Sequence, residues 1–339
     1  MRFILVWCFL QFDISVVIVK IVPIFTLFFR TVLLKFYIKK YYPEVDYTVR
    51  PTDSIEGAAN RWDALLLQIS INTSTSLPAI LISSFLGFKE ANVYAIYSMI
   101  ASSIISVVSA LSSGVAPKLG QNLALGQDIC HTYKVYDYIV SVVITVVFSV
   151  MAVMALPFVD LYTNVVDDIN YIYPIYSVLI AVWAALHTYR IPFTAIINAS
   201  GLYKENRINN IVNLFVQVVG GVILTSFFGV TGMLVSMILT AVHRNISFSV
   251  IINRNHSVCT VGNSLIKQLL IVLTVLLSFG ILSPIVNNFN YSFVLWIVIS
   301  MAVFIVEAII AVLLFSVVDI KTSGALFLKL KNTFKKLSR

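Results

Sequence analysis

The chain has 339 residues, of which 59% are hydrophobic and only 11% charged, with a mean hydropathy of +0.95. No soluble fold buries that share of apolar surface, and the apolar residues fall in blocks of about 20, the helix length that crosses a hydrocarbon core. The net charge of +8 does not point to nucleic acid, because Lys and Arg lie between the blocks and at the C-terminus, where they suit anionic membrane lipids. The expectation is an all-α, polytopic membrane helix bundle of about nine transmembrane helices.

In chain order, residues 1–12 are too short to span, and Asp13 separates them from an apolar run, Ile14 to Ile38. The first stretch reads as an incomplete or interfacial helix, the second as the first full span. That span carries Lys20, which needs a partner, and Arg30, which can reach the basic exit at Lys35, Lys39 and Lys40. Residues 39–62 form the longest internal polar stretch and read as a cytoplasmic linker. Helix two, about Asp63 to Leu86, holds Gln68, Asn72, Thr73, Ser74, Thr75 and Ser76. So much hydroxyl and amide indicates either packing in a bundle or the wall of a wet cavity. Helix three, about Ala91 to Ser113, presents Ser102, Ser106, Ser109 and Ser113 along one ridge, and close helix packing accounts for such small residues.

Helix four is expected over about Tyr138 to Val159, before the acidic outer loop with Asp160, Asp167 and Asp168. Residues 171–207 form the least ordinary span. Arg190 and Pro192 sit deep inside it, and it leaves through Asn198-Ala199-Ser200-Gly201 into a basic turn. A cation at that depth costs about 2.5–3.5 kcal/mol on insertion scales, so it is expected to face protein, water or an anionic ligand rather than lipid. Pro192 removes one backbone bond and bends the helix. Two more helices, about Ile208 to Phe228 and Val230 to Ile251, meet at the Gly229-Val230-Thr231-Gly232 turn. Helices of about Leu265–Val286 and Ser292–Val317 follow. Glu307, in the middle of the last, is neutral, paired or facing a cavity. Residues 321–339 read as a basic amphipathic helix on the inner leaflet. The segments are thus 1–38, 39–62, 63–251, 265–317 and 321–339.

The basic residues alternate between loops. Lys35 to Arg61, Lys118 and Lys134, Lys204 and Arg207, then Arg244, Arg254 and Lys267, and finally the tail fall on one side, against Lys89 alone on the other. This predicts a cytoplasmic C-terminus. No catalytic arrangement emerges. His131, His187, His243 and His256 are scattered, Cys8, Cys130 and Cys259 show no metal spacing, and no phosphate loop is present. The expectation is a protein without cofactor or metal, and not an enzyme. A membrane-embedded glycan polymerase is the enzyme alternative, but the short outer loops leave little surface to hold two glycans. Within the spans the charges lean positive, Lys20, Arg30 and Arg190 against Asp13, Asp63 and Glu307, with both aspartates at helix ends. That balance favours a phosphorylated substrate, since guanidinium offers paired donors to phosphate oxygens.

Residues 80–127, beginning ILISSFLGFKEANVYAIYS and ending GVAPKLGQNLALGQ, resemble the start of the second lobe of Wzx-type polysaccharide flippases of the MOP superfamily, which includes the MATE drug exporters. Residues 190–245 are similar to a later part of that lobe, with an arginine and proline, an N-A-x-G turn and an F-G-x-x-G turn. The first span, ending in YIKKYYP, resembles the last helix of the first lobe. The resemblance implies one lobe of a V-shaped transporter in the bacterial cytoplasmic (inner) membrane. Its cargo would be an undecaprenyl-diphosphate-linked oligosaccharide for surface polysaccharide, moved to the outer leaflet alongside other polysaccharide-assembly membrane proteins. On this reading Arg190, Lys20 and Arg30 hold diphosphate, Asn72 contacts sugar, and Glu307 is the candidate for coupling to a Na+ or H+ gradient. The resemblance also implies that most of a first lobe is missing. Where members often carry an Asp just before I-L-I-S, this chain has Asn72-Thr73-Ser74-Thr75-Ser76. The alternative is a MATE-like, cation-coupled exporter of small molecules.

Overall fold

The computed structural model describes residues 16–41, 61–127, 129–164, 169–256, 258, 260–289, 291–319 and 324, without the side chains of 16–27. The expectations for residues 1–15, for most of the linker and for the basic tail lie outside the described residues. The described elements are helices: α1 (Val16–Tyr41), α2 (Arg61–Phe85), α3 (Phe88–Ser112), α4 (Val115–Ala124), α5 (Cys130–Thr163), α6 (Pro174–Tyr189), α7 (Ile191–Ser200), α8 (Arg207–His256), α9 (Val261–Val286) and α10 (Phe293–Val318). Among the described residues there is no strand.

The chain divides into two compact units, Met1–Ala59 and Asn60–Arg339. In the first, α1 ends on Lys39 and Lys40 in its last turn and exposes Arg30. The second holds α2 to α10. Among the described residues seven helical stretches are long and apolar enough to cross a membrane: α2, α3 with α4, α5, α6 with α7, α8, α9 and α10. Seven falls short of the nine expected for two reasons. The first predicted span, α1, is not one of them, and α8 gathers two predicted helices into one 50-residue stretch.

The join inside α8 is Gly229, whose φ of 62° and ψ of −144° are not helical. At this positive φ a side chain is strained, so glycine makes the reversal. The arms then run back against each other. Thr225 Oγ1 donates to Met233 Sδ at 3.4 Å, and His243 Nδ1 lies 3.2 Å from the side-chain amide of Asn213 thirty residues away. Gly232 makes the closest approach in the hairpin, because a Cβ there would lie 1.9 Å from the Leu224 carbonyl oxygen. Where lipid offers no less apolar an environment than protein, association of this kind depends on small residues that let backbones touch.

The centre of the second unit is built by α5 and the α6–α7 stretch, which bury 72% and 83% of their most apolar windows, whereas α3 and α10 bury only 17%. Around this centre α8 packs on α2 and α6, and both α9 and α10 pack on α5. Residues 265–317 therefore join the same compact unit as 63–251. Local chemistry sets several ends. Pro174 opens α6 at a position that needs no N–H. Ser292 caps α10 by accepting from the Leu295 amide at 3.3 Å. Gly201 closes α7 in the left-handed region, with the Leu202 amide donating to the Ile197 carbonyl at 3.2 Å.

Gly232→Ala should destabilise the bundle by about 1–3 kcal/mol, the usual range for overpacking. Gly262→Ala, where a Cβ meets nothing within 4 Å, should leave stability unchanged. Thermal unfolding of the two purified variants in one detergent compares them directly.

Candidate functional site

Arg190 is the single residue between α6 and α7, in helical conformation at φ −65° and ψ −16°. Pro192 lacks the amide that would bond back toward α6, so the helix breaks beside the arginine. The chain thereby places a half-buried guanidinium at a bend in the most buried helix of the bundle. Arg190 Nη2 lies 3.0 Å from His187 Nε2. Guanidinium only donates, so Nε2 accepts and the His187 proton is on Nδ1. The His187 ring is buried and rests against Trp183 at 5.1 Å between centroids.

These three residues form one wall of a cavity of about 480 Å³. Across it stand Asn72 and Thr75 of α2 and Tyr94, Ser98, Ser102 and Ser106 of α3. Two residues assigned to the substrate from sequence, Arg190 and Asn72, thus share one hollow, and among the described residues its wall contains no carboxylate. All of its lining residues belong to the unit 60–339. Of the other two candidates, Lys20 lies on α1 with its side chain outside the described residues, and Arg30 is exposed there. Glu307 is fully buried, facing Ser149 of α5 and Ser278 of α9, and does not line the cavity.

The polar run of α2 splits between its two faces. Asn72 and Thr75 turn to the cavity, whereas Ser70 and Ser74 are buried against α8. The group they meet is Arg244, only 2% exposed. Its Nη2 donates to the Ser70 carbonyl at 2.9 Å, the Ser70 hydroxyl at 3.0 Å and the Ser74 hydroxyl at 2.9 Å. Ser74 passes its own proton to Gln217 Oε1 at 2.8 Å. With the Asn213 amide oriented so that its oxygen faces the guanidinium, that oxygen accepts from Arg244 Nη2 at 3.0 Å. Arg244 was counted with the basic loops, although the expected helix ran to about Ile251; it is inside the bundle, well within α8, which continues to His256.

The ridge of α3 also differs from expectation. Ser102, Ser106, Ser109 and Ser113 are exposed rather than packed. Ser102 and Ser106 return their hydroxyl protons to carbonyls of their own helix, Met99 and Ser102, at 3.0 and 2.7 Å. Among the described residues of the unit 60–339 the packing expected of this ridge is not seen.

A second charged group lies behind the bend. Lys267, counted with the loop charges although inside the helix expected over Leu265–Val286, is 2% exposed and bridges Asp137 Oδ2 of α5 at 2.5 Å and Asp319 Oδ2 at the end of α10 at 2.6 Å. Tyr189, the residue before Arg190, hydrogen-bonds Asp137. The remaining ion pair among the described residues joins Arg207 to Asp63 at 3.5 Å. Neither Arg190 nor Arg244 has a carboxylate within ion-pair distance among the described residues, and the two guanidiniums lie within Coulombic range of each other. The sequence carried a signal for both missed cations. Ser236, Thr240 and Arg244 follow at intervals of four, and Ser264, Lys267, Ile271 and Thr274 at intervals of three or four, along faces that are buried. A helical face that continues beyond a charge places that charge inside the helix.

Together, seven apolar helical stretches and a hollow walled by cation, histidine, amide and hydroxyl groups define a multi-pass helical membrane protein. No protein-family model, curated protein or solved structure matches the chain. Among the described residues no group of three His, Cys, Asp or Glu side chains gathers as a metal site would.

Lys267→Met should leave two buried carboxylates facing each other and cost about 3–5 kcal/mol, as removal of one partner from a buried pair does. Asp137→Asn, which leaves the Lys267–Asp319 pair, should cost clearly less. Unfolding midpoints of the two variants give the order.

Proposed function

We propose that the chain is a lobe of a lipid-linked oligosaccharide flippase, in which the cavity at Arg190 receives the diphosphate of a polyprenyl-linked glycan and carries it between leaflets. The observation that supports this reading most is the imbalance of charge. Two guanidiniums stand in or beside a hydroxyl-lined hollow with no carboxylate on its wall. Burying a cation in a low-dielectric medium without a counter-charge is costly, and a visiting anion removes that cost while it is bound. Arg190 offers the paired donors that phosphate oxygens accept, and Asn72 and Thr75 across the hollow suit sugar hydroxyls. The likeness of residues 80–127 and 190–245 to the second lobe of MOP-superfamily flippases supports the same reading.

Counting α1 once and the two arms of α8 separately gives nine crossings in this proposal. The basic loops and the C-terminus then face the cytoplasm of a bacterial inner membrane. Arg244 acts at one remove. It holds α2 to α8 through Ser70 and Ser74 and adds its field to that of Arg190. The cation-exporter reading loses support, because its carboxylate, Glu307, stands outside the cavity wall.

Arg190→Gln should weaken binding of a short-chain polyprenyl diphosphate by about tenfold or more, the loss of a hydrogen bond to a charged group being about 1.5–3 kcal/mol. Glu307→Gln should leave it unchanged. Titration of the purified full chain in detergent, followed by calorimetry, measures both. Equal affinity of the wild type and the Arg190 variant would refute the proposal.

A further inference from the structure

The serine ridge of α3 does not end at the cavity described above. One turn further along, Ser109 and Ser112 line a second, smaller hollow of about 160 Å³, together with Tyr136 of α5 and Thr194 and Asn198 of α7. Arg190 is the one residue that lines both hollows. The helix break therefore sets its guanidinium as a partition with space on two sides.

What distinguishes the smaller hollow is its donors. Tyr136 is 7% exposed, and its buried hydroxyl meets the Ser112 hydroxyl but no carbonyl or carboxylate acceptor among the described residues. Among the described residues the buried Nε–H of Arg190 has no hydrogen-bond acceptor. The carbonyl oxygen of Asn198 is occupied by the Tyr203 hydroxyl at 3.3 Å, which leaves its amide N–H groups to donate. Among the described residues the wall carries no carboxylate. A buried donor without an acceptor is a standing cost, and here one donor belongs to a cation. Water would satisfy hydroxyls but not the charge, whereas an oxyanion satisfies both. The volume is that of a few waters, enough for one tetrahedral phosphoryl group and too small for a sugar chain.

We propose that this hollow is a second anion site, in which Tyr136, Arg190 and Asn198 hold a single phosphoryl group of a phosphate or diphosphate. The inference rests on the reading of Arg190 as the cation that meets a phosphorylated substrate, and adds a station to it. A diphosphate held on the Tyr136 side of Arg190 reaches the larger hollow by exchanging one face of the same guanidinium for the other. Arg190 keeps contact with the anion throughout, so the headgroup is never left without a counter-charge.

The test uses the purified full chain in detergent, titrated separately with inorganic diphosphate and with a short-chain polyprenyl diphosphate, followed by calorimetry and phosphorus resonance. Tyr136→Phe removes one donor and no volume, and should weaken binding by about fivefold or more. Asn198→Asp, which brings a carboxylate to the same wall, should abolish it. Gly262→Ala, at a position that lines neither hollow and where a Cβ meets nothing within 4 Å, should leave inorganic diphosphate binding unchanged. Tyr136-sensitive binding of both probes identifies a site for the free anion as well, and of the lipid-linked probe alone a site for the headgroup. If Arg190→Gln weakens binding while Tyr136→Phe and Asn198→Asp bind as the wild type, the smaller hollow holds only water and this inference falls, with the reading of the larger cavity intact. If the wild type binds neither probe, both fall.

Discussion

Two guanidiniums held in an apolar bundle by neutral dipoles are the constraint on which the second unit is arranged. Arg244 is satisfied by a carbonyl, two hydroxyls and an amide from α2 and the first arm of α8. Those groups lie on separate segments, so they stay in register only if α2, both arms of α8 and the turn at Gly229 keep their places. Arg190 is treated differently. It has one side-chain partner, His187, and open volume to either side. The same kind of charge thus serves as a fastening where its donors are saturated and as a binding group where they are not.

Much of this was legible in the sequence, and the physical reason is the length and period of the apolar blocks. Helix ends fell within a few residues for α2, α9 and α10, since Asp63, Asn287 and Asp319 mark where the apolar run stops. Gly229 was readable as a reversal, and Pro192 as a bend. Arg190 and Asn72 could be set apart because each is out of place in a span, and the fold brings both to one cavity wall. Neither the identity of a ligand nor the count of crossings was legible to the same degree.

What failed did so where one residue type serves two physical ends. A serine ridge packs helices closely, and it also lines a hollow, and its spacing is the same in both cases. Only the exposure of Ser102 and Ser106 among the described residues favours the second. Cations near the ends of apolar blocks were counted with the loops, yet Arg244 and Lys267 lie a turn or more inside their helices, among buried neighbours. Glu307 left three readings open, and the fold places it among hydroxyls away from the cavity wall.

The shared ammonium of Lys267 has a mechanical meaning. Asp137 and Asp319 are clasped to it from the foot of α5 and the end of α10, while Lys267 itself springs from α9. Sliding any one of these three helices past the others would tear ionic contacts in a medium that cannot solvate the pieces. The three helices are therefore pinned at one ionic point, whereas the backbone beside residue 190 lacks a rung.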